Sequence, residues 1–182
     1  MTGTLGVLLA AGQSRRFGPE DKLLAPYAGQ PLVTHAAEAM RSAGCDSLAA
    51  VVSASRVAAL LAGFVPLRVA PGLPMSRSFA AALSRARATG ADRLLLCLGD
   101  MPGIDATLLR RLIAQPGSAA CVCEGRRLPP ACIVATDFAQ AEALPEGDHG
   151  ARALIGTLPA AQLISIDAMR ARDVDRASDL TI

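Results

Sequence analysis

Short apolar runs alternate with amphipathic stretches along the first two thirds of the chain. The apolar runs, each short enough for a buried strand, are residues 5–10, 47–53, 65–70 and 93–98. The amphipathic stretches, each marked by Pro, Gly or a capping residue at an end, are residues 32–42, 56–62, 75–88 and 106–114. Strands that alternate with helices predict a mostly parallel sheet covered on both faces. Right-handed crossovers then give a doubly wound, three-layer α/β/α fold.

Capping residues set the predicted helix starts. Asp105 is expected to be the N-cap of its helix, and Ser76 or Ser78 is expected to cap the helix that ends at residue 88. Asp137 is expected to cap a short helix. We expect one domain over residues 1–182, because no linker, internal repeat or low-complexity tract interrupts the pattern.

The last third of the chain has a less regular pattern. Strands are expected at residues 118–123 and 131–136, on either side of a turn at 124–127. Further along, a helix is expected at 151–156 and a last strand at 163–166. This region is therefore expected to be less regular than the first two thirds of the chain.

Composition excludes several function classes. Hydrophobic residues make up 52% of the chain, and no apolar run is long enough for a membrane span. No signal-peptide pattern precedes the first strand, so we expect a cytoplasmic protein without a membrane partner. A net charge of +2 and 3% aromatic residues argue against a nucleic-acid partner. The five cysteines lie mostly in apolar runs and are interpreted as buried hydrophobic residues, and a zinc site is not expected.

The loop after the first strand holds the first candidate chemistry. Ala11, Gly12 and their neighbours are small residues that let a backbone approach a ligand, and Arg15, Arg16 and Lys22 follow closely. This combination suits a nucleoside triphosphate, and it also suits an ordinary basic turn. Lys22 is the one lysine among 18 basic residues, and lysine is a compact charge on a flexible stem.

Carboxylates supply the second candidate group. Asp100 follows the most apolar strand and is expected at the carboxyl edge of the sheet, where ligands bind in such folds. The loop at residues 11–22 matches neither the P-loop nor the dinucleotide fingerprint, which disfavours a kinase or a dehydrogenase. A carboxylate beside a triphosphate indicates Mg²⁺. Asp175 is either a second carboxylate of that site or, like Asp173, a helix cap.

Five segments then resemble one known family, the MobA-like nucleotidyltransferases. The segments, in chain order, are LAAGQSRRFG with KLL at 9–24, MSRSF at 75–79, GDMP at 99–102, GDHGAR at 147–152 and DVDRASD at 173–179. They occur in the family's order and span nearly the whole chain. The resemblance implies a Rossmann-like nucleotidyltransferase fold, a nucleoside triphosphate and Mg²⁺, with Mn²⁺ as the alternative metal.

The resemblance also implies roles for individual residues. Arg16, Lys22 and Asp100 would be catalytic, and Asp100 and Asp175 would hold the metal. The nucleotide would contact a set drawn from the first loop and the third helix: Leu9, Ala10, Ala11, Gly12, Arg16, Lys22, Ser76 and Ser78. The acceptor side would include Gly147, Asp148 and Arg152.

The resemblance implies transfer of a nucleoside monophosphate to a phosphate-bearing acceptor, with release of pyrophosphate. Ala11 resembles the cytidylyltransferase branch, which favours CTP and a molybdopterin acceptor, and a molybdoenzyme or cofactor chaperone would be a partner. Leu128-Pro129-Pro130 departs from the G-H-P of that branch. The alternatives are a guanylyltransferase, a sugar- or alcohol-phosphate nucleotidyltransferase, and a non-catalytic nucleotide- or cofactor-binding protein.

Overall fold

A computed structural model describes residues 3–12, 14, 16–18, 20–143 and 151–180. Within them, the strands are β1 Thr4–Ala10, β2 Pro26–Tyr27, β3 Gln30–Pro31, β4 Ser47–Val52, β5 Val65–Arg68, β6 Arg93–Leu98, β7 Ala119–Cys123, β8 Arg126–Val134 and β9 Leu163–Ser165. The α-helices are α1 Leu32–Arg41, α2 Ser55–Leu60, α3 Met75–Thr89, α4 Ala106–Ile113, α5 Phe138–Glu142, α6 Arg152–Thr157 and α7 Ala168–Ala171. Short 3₁₀ turns include Lys22–Leu24 and Ala177–Leu180.

Seven strands form one sheet in the order β5-β4-β1-β6-β8-β7-β9, and β2 pairs with β3 separately. The pairs β5-β4, β4-β1, β1-β6 and β7-β9 are parallel, and β8 is antiparallel to both of its neighbours. The chain builds outward from β1 through β4 to β5 and then returns to place β6 on the other side of β1. The carboxyl ends of β1 and β6 therefore meet at the point where strand order reverses, which is where such sheets bind ligands.

Alternating side chains of the strands fill two separate cores. On β1, Leu8 packs on one face with Val33 of α1 and Leu109 of α4, and α2 covers the same face. Val7 packs on the other face with Phe79 of α3, and α5 and α6 cover that face. Because successive side chains of a strand point to opposite faces of the sheet, each strand contributes to both cores. The three-layer α/β/α fold with a mostly parallel sheet is confirmed.

The long strand β8 differs from the prediction, which began this strand at residue 131. The turn at Glu124 and Gly125 has positive φ at both residues, 49° and 78°, the geometry of a tight hairpin. A bulge follows, because Ala120 pairs with Ala131 whereas Cys121 pairs with Leu128. The two prolines between these positions lie in the bulge, where a missing N–H is tolerated. Residues 126–130 therefore belong to the strand, and because Ala131 lies opposite Leu96, the first of them extend past the carboxyl end of β6 at Leu98.

The helix caps were predicted with mixed success. Asp105 is the N-cap of α4, and its carboxylate accepts a hydrogen bond from the Leu108 N–H at 2.8 Å. The expected serine cap of α3 was wrong, since Pro74 occupies the N-cap and Ser76 and Ser78 lie within the first turn. Asp137 stands at the N-cap of α5 without a side-chain cap bond.

Helix α7 was not predicted from the sequence. All five cysteines are free thiols, and all except Cys45 are buried. Among the described residues no helix is long and apolar enough to cross a membrane.

Candidate functional site

The carboxyl ends of β1 and β6 lie side by side at the switch point. Leu9 is in register with Leu98, and the Gly99 N–H donates to the Leu9 carbonyl oxygen at 3.0 Å. A Cβ at Gly99 would lie 3.3 Å from Val33 and 3.4 Å from the Leu9 oxygen, so a larger residue would crowd this junction. The glycine lets the chain leave β6 close against β1, and it brings Asp100 to the start of the first loop.

The first loop is organised by Ser14 and Asp21. Ser14 has a φ of 50°, and its carbonyl oxygen accepts a hydrogen bond from the Phe17 N–H at 2.8 Å. Its hydroxyl donates to the Asp21 carboxylate at 3.3 Å and accepts from the Lys22 N–H at 3.1 Å. Asp21 also caps the 3₁₀ turn by accepting from the Leu23 N–H at 3.0 Å. These bonds fix the backbone at Lys22 and direct its side chain inward.

Gly12 lies on this loop in open space. A Cβ built there would meet nothing within 4 Å, and its φ lies outside the left-handed range that favours glycine. Neither the packing of the described residues nor a left-handed backbone therefore requires a glycine at this position.

Lys22 joins the two carboxylates predicted to hold a metal. Its Nζ lies 2.7 Å from Oδ2 of Asp100 and 3.1 Å from Oδ1 of Asp175. The other oxygen of Asp175 accepts from Nη1 of Arg16 at 2.7 Å. The Lys22 side chain is only 9% exposed, whereas that of Arg16 is 72% exposed. The structure thus brings together Arg16, Lys22, Asp100 and Asp175 in one cluster.

Burial and the neighbouring opposite charges shift the pKa values of Lys22 and Asp100 in opposite directions. Burial lowers the pKa of Lys22, but Asp100 and Asp175 outweigh it and leave that pKa above its ordinary value. Burial raises the pKa of Asp100, and Lys22 offsets part of that rise. Asp173 also raises the pKa of Asp100 through like-charge repulsion. Excess negative charge therefore collects at the carboxyl edge, and one buried ammonium compensates for part of it.

The segment that carries Asp175 is held against β6 by the backbone. The Val174 N–H donates to the Asp100 carbonyl oxygen at 2.9 Å, and Val174 is fully buried. One oxygen of Asp179 accepts from the N–H groups of Asp175 and Arg176 at 3.0 and 2.8 Å. Asp179 is thus the residue that bonds the free amides here. The carboxylate of Asp175 pairs with cations instead, so the interpretation of Asp175 as a helix cap was wrong.

The donor set fits a divalent cation. Oδ1 of Asp100 is buried and has no hydrogen-bond partner among the described residues, so it has an unused acceptor position beside a second carboxylate. Mg²⁺ and Mn²⁺ accept one or two protein carboxylates together with phosphate oxygens and water. No group of three or more metal-ligating side chains occurs among the described residues. The remaining ligands of a metal held by Asp100 and Asp175 would come from substrate and water.

The other predicted site residues lie at two places. Leu9 and Ala10 end β1, where Ala10 is buried, and Ala11 continues into the loop. Ser78 is buried and Ser76 half-buried in the first turn of α3.

A small cavity connects this helix start with Arg152, which the resemblance places on the acceptor side. It is lined by residues that include Leu9, Met75 and Arg152. Arg152 is exposed at the start of α6. The predicted acceptor-side residues Gly147 and Asp148 lie outside the described residues.

A second cavity of about 180 Å³ lies near the carboxyl end of β6 and holds residues that the sequence reasoning missed. Its lining includes Arg126, Arg127, Arg152 and Asp173. The basic pair after the Gly125 turn was visible in the sequence. It was read only as a turn, because nothing in the pattern showed that β8 overhangs the end of β6.

Two relatives are similar to the chain over part of their length. Nicotine blue oxidoreductase of Paenarthrobacter nicotinovorans is 35% identical over 117 residues, which cover 62% of this chain and 57% of that protein. Molybdenum cofactor guanylyltransferase of Cereibacter sphaeroides is 34% identical over 137 residues, which cover 70% of this chain and 66% of that protein. The chain thus spans about 57% to 66% of the length of these relatives.

Solved structures resemble the chain over nearly its whole length. The crystal structure of Rv0371c from Mycobacterium tuberculosis H37Rv has a TM-score of 0.82 at 28% identity, covering 98% of this chain and 95% of that one. The manganese complex of Rv0371c has a TM-score of 0.73 at 27% identity, with coverages of 92% and 90%.

The family comparison covers most of the described sheet. The MobA-like NTP transferase domain matches residues 6–163, from β1 to the start of β9. This range includes the first loop, Lys22, Asp100 and both cavity-lining arginines of the β7–β8 hairpin. The chain therefore belongs to the MobA-like NTP transferase family.

Proposed function

We propose that this protein is a metal-dependent nucleotidyltransferase. It transfers the nucleoside monophosphate of a nucleoside triphosphate to a phosphate-bearing acceptor of the molybdopterin type and releases pyrophosphate. CTP is the proposed triphosphate. The observation that carries the proposal is the convergence of Lys22, Asp100 and Asp175 at the switch point of the sheet. A buried cation between two carboxylates is a costly arrangement unless it serves a site.

The geometry of the first loop supports a triphosphate at this edge. A Cβ at Gly12 would meet no other described residue within 4 Å, so a polyphosphate can approach the backbone closely. Exposed Arg16 and buried Lys22 stand on the same loop and can neutralise phosphate oxygens at two depths. We infer that Arg16 faces the outer phosphates and Lys22 the inner ones.

In the proposed reaction, an oxygen of the acceptor phosphate attacks the α-phosphorus in line, and the bond from that phosphorus to the pyrophosphate oxygen breaks. The acceptor oxygen is already anionic, so no general base is needed. Lys22 and Arg16 reduce the repulsion between the two anions and stabilise charge on the leaving pyrophosphate. Asp100 and Asp175 would hold the divalent metal, which supplies Lewis-acid charge neutralisation when bound.

The proposed base and acceptor rest on the family resemblance. Ala11 matches the cytidylyltransferase form of the loop, which favours CTP. A relative at 34% identity carries the name guanylyltransferase, so GTP is the competing outcome. The proposed metal is Mg²⁺, and Mn²⁺ is a suitable substitute because Rv0371c has been solved with manganese. A molybdoenzyme or cofactor chaperone is the proposed receiver of the product, and the cytoplasm the proposed location.

The test is pyrophosphate release from each of the four triphosphates with Mg²⁺ and molybdopterin, with sugar phosphates as competing acceptors. We expect release with CTP and molybdopterin, and we expect Asp100→Asn to lower the rate at least about a hundredfold. Asp92→Asn is the matched control, since Asp92 is exposed at the opposite end of the same strand. If the protein bound nucleotide but released pyrophosphate with no combination of triphosphate and acceptor, the proposal would be contradicted.

Lys22→Arg is a second test, because it keeps the charge and changes its shape. A guanidinium is planar and larger than an ammonium, so it should not fit between Asp100 and Asp175 as Lys22 does. We expect weaker triphosphate binding or slower turnover. Arg56→Lys, on the exposed side of α2, controls for the reverse exchange at a remote position. Equal activity of Lys22→Arg and wild type would remove Lys22 from the proposed machinery.

A further inference from the structure

The second cavity is built by four parts of the chain that come together only in the fold. The end of β6 and the turn after it contribute Leu98 and Met101, and the overhanging start of β8 contributes Arg126. Arg152 of α6 and Asp173 of the returning segment complete it. Asp173, whose charge acts on the Asp100 carboxylate, lines the cavity, so the cavity lies near the site described above.

The three arginines of this cavity are not equivalent. Nη1 of Arg127 donates to the carbonyl oxygens of Gly156 and Leu158 at 2.6 and 2.7 Å, and to that of Ile155 at 3.3 Å. This guanidinium ties the end of α6 to β8 and is committed to the fold. Arg126 and Arg152 are exposed and make no side-chain hydrogen bond or ion pair with another described residue.

Charge in the cavity favours an anion. Three arginines and a single acidic residue, Asp173, line the cavity. Arginine presents a planar fork of donors that matches the oxygens of a phosphate. Leu128 and Pro129 add an apolar wall to the same cavity. A ligand with a phosphate group and an apolar body would satisfy both kinds of surface.

We propose that Arg126 and Arg152 bind the phosphate group of the acceptor in this cavity, with Arg127 as the positioning residue that holds α6, and therefore Arg152, beside β8. The inference rests on the proposed function and specifies its second substrate as an organic phosphate with an apolar body. The two arginines offset the repulsion between this phosphate and the triphosphate on the other side of Asp100. Arg126 thereby acquires a role that none of the sequence motifs indicated.

The experiment is a calorimetric titration of the full chain with phenyl phosphate, with and without Mg²⁺ and the α,β-methylene analogue of CTP, which blocks transfer. We expect Arg126→Gln and Arg152→Gln each to weaken phenyl phosphate binding about tenfold. Both variants should bind the CTP analogue within about twofold of wild type. Arg111→Gln, exposed at the far end of α4, should change neither affinity.

Two results would overturn the inference. One is equal binding of phenyl phosphate by wild type, Arg126→Gln and Arg152→Gln, and the other is no binding by wild type. The titration does not require turnover, so its outcome is separate from the pyrophosphate assay. A protein that binds phenyl phosphate through Arg126 and releases no pyrophosphate would contradict the proposed function and leave the phosphate subsite in place.

Discussion

Replacing Lys22 by Met separates two properties of the site that both depend on this side chain. The substitution keeps most of the buried stem and removes the ammonium that lies 2.7 Å from Asp100 and 3.1 Å from Asp175. In the absence of metal, the two carboxylates then face each other without a buried cation. With a metal bound, the divalent charge takes over the neutralisation. The variant should therefore be destabilised without metal and largely restored by it.

The distances from Lys22 to the two carboxylates set the expected loss of stability in Lys22→Met. At an effective dielectric constant of about 20, each contact is worth about 5 to 6 kcal/mol of Coulomb attraction. Desolvation of the ions offsets much of this, and breaking a buried pair costs about 3 to 5 kcal/mol. Asp100 is 19% exposed and Asp175 is 39% exposed, so solvent screening places the net loss near or below the lower value. A loss of about 3 kcal/mol corresponds to a drop in Tm of about 6 to 12 °C.

The assay is the Tm of Lys22→Met and of wild type, measured against increasing MnCl₂. In wild type the positive charge of Lys22 opposes a metal at the two carboxylates, whereas in the variant the metal meets both carboxylates without that repulsion. We expect Mn²⁺ to raise the Tm of Lys22→Met more than that of wild type and to half-saturate at a lower concentration. Triphosphate binding should be weaker in the variant, because the cation that faces the phosphates is gone.

Arg56→Met is the control for loss of one positive charge at an exposed position. It should leave both the metal-free Tm and its response to Mn²⁺ unchanged. If Mn²⁺ stabilises Lys22→Met no more than wild type, the ammonium and the metal do not share the two carboxylates, and the assignment of Asp100 and Asp175 as ligands fails.

Three further predictions concern parts of the fold that support or surround the site. Gly103→Ala would place a Cβ 2.5 Å from the Met169 carbonyl oxygen and should therefore shift the segment that carries Asp175. We expect weaker Mn²⁺ binding in a titration, and an unchanged Mn²⁺ affinity would contradict this prediction. Asp105→Ala should lower the free energy of unfolding by about 1 kcal/mol at pH 7 in urea denaturation. Because the helix amide lowers the pKa of Asp105 below 3.8, this difference should shrink as pH falls through that lowered value, and a constant difference would refute it. Burial raises the pKa of Cys45 to about 12, so at pH 8 it should react with a disulfide reagent about a thousandfold more slowly than a thiol of pKa 9.0; a fast reaction would show an exposed thiolate.

Local sequence signals predicted the parts of the fold that local physics determines. The apolar run at β6 was predicted with its observed bounds, because a buried parallel strand between polar residues has no competing pattern. Asp105 was predicted as a cap because the side chain that accepts the free amide lies within the same turn. The position of Asp100 followed from the rule that places ligands at strand ends.

Other features depended on contacts that no local pattern contains. The start of β8 was missed because two prolines argue against a strand, and only pairing across a bulge accommodates them. The serine cap of α3 was wrong because Pro74 begins the helix without a side-chain bond. Asp175 is 75 positions from Asp100, and its distance to Lys22 follows from the backbone bond between Val174 and Asp100. Sequence spacing alone favoured a helix cap at this position, and only the family resemblance favoured a metal ligand.

The use of lysine at the centre of this site follows from its two roles. An arginine between Asp100 and Asp175 would form a planar, bidentate contact that is bulky and hard to displace. The ammonium of Lys22 is a point charge on a flexible stem, so it can neutralise the carboxylates before metal binds and turn toward phosphate afterwards. A chain with 18 basic residues and a single lysine can satisfy most of its surface with arginine. The position where the cation has to exchange partners is the one where arginine would not serve.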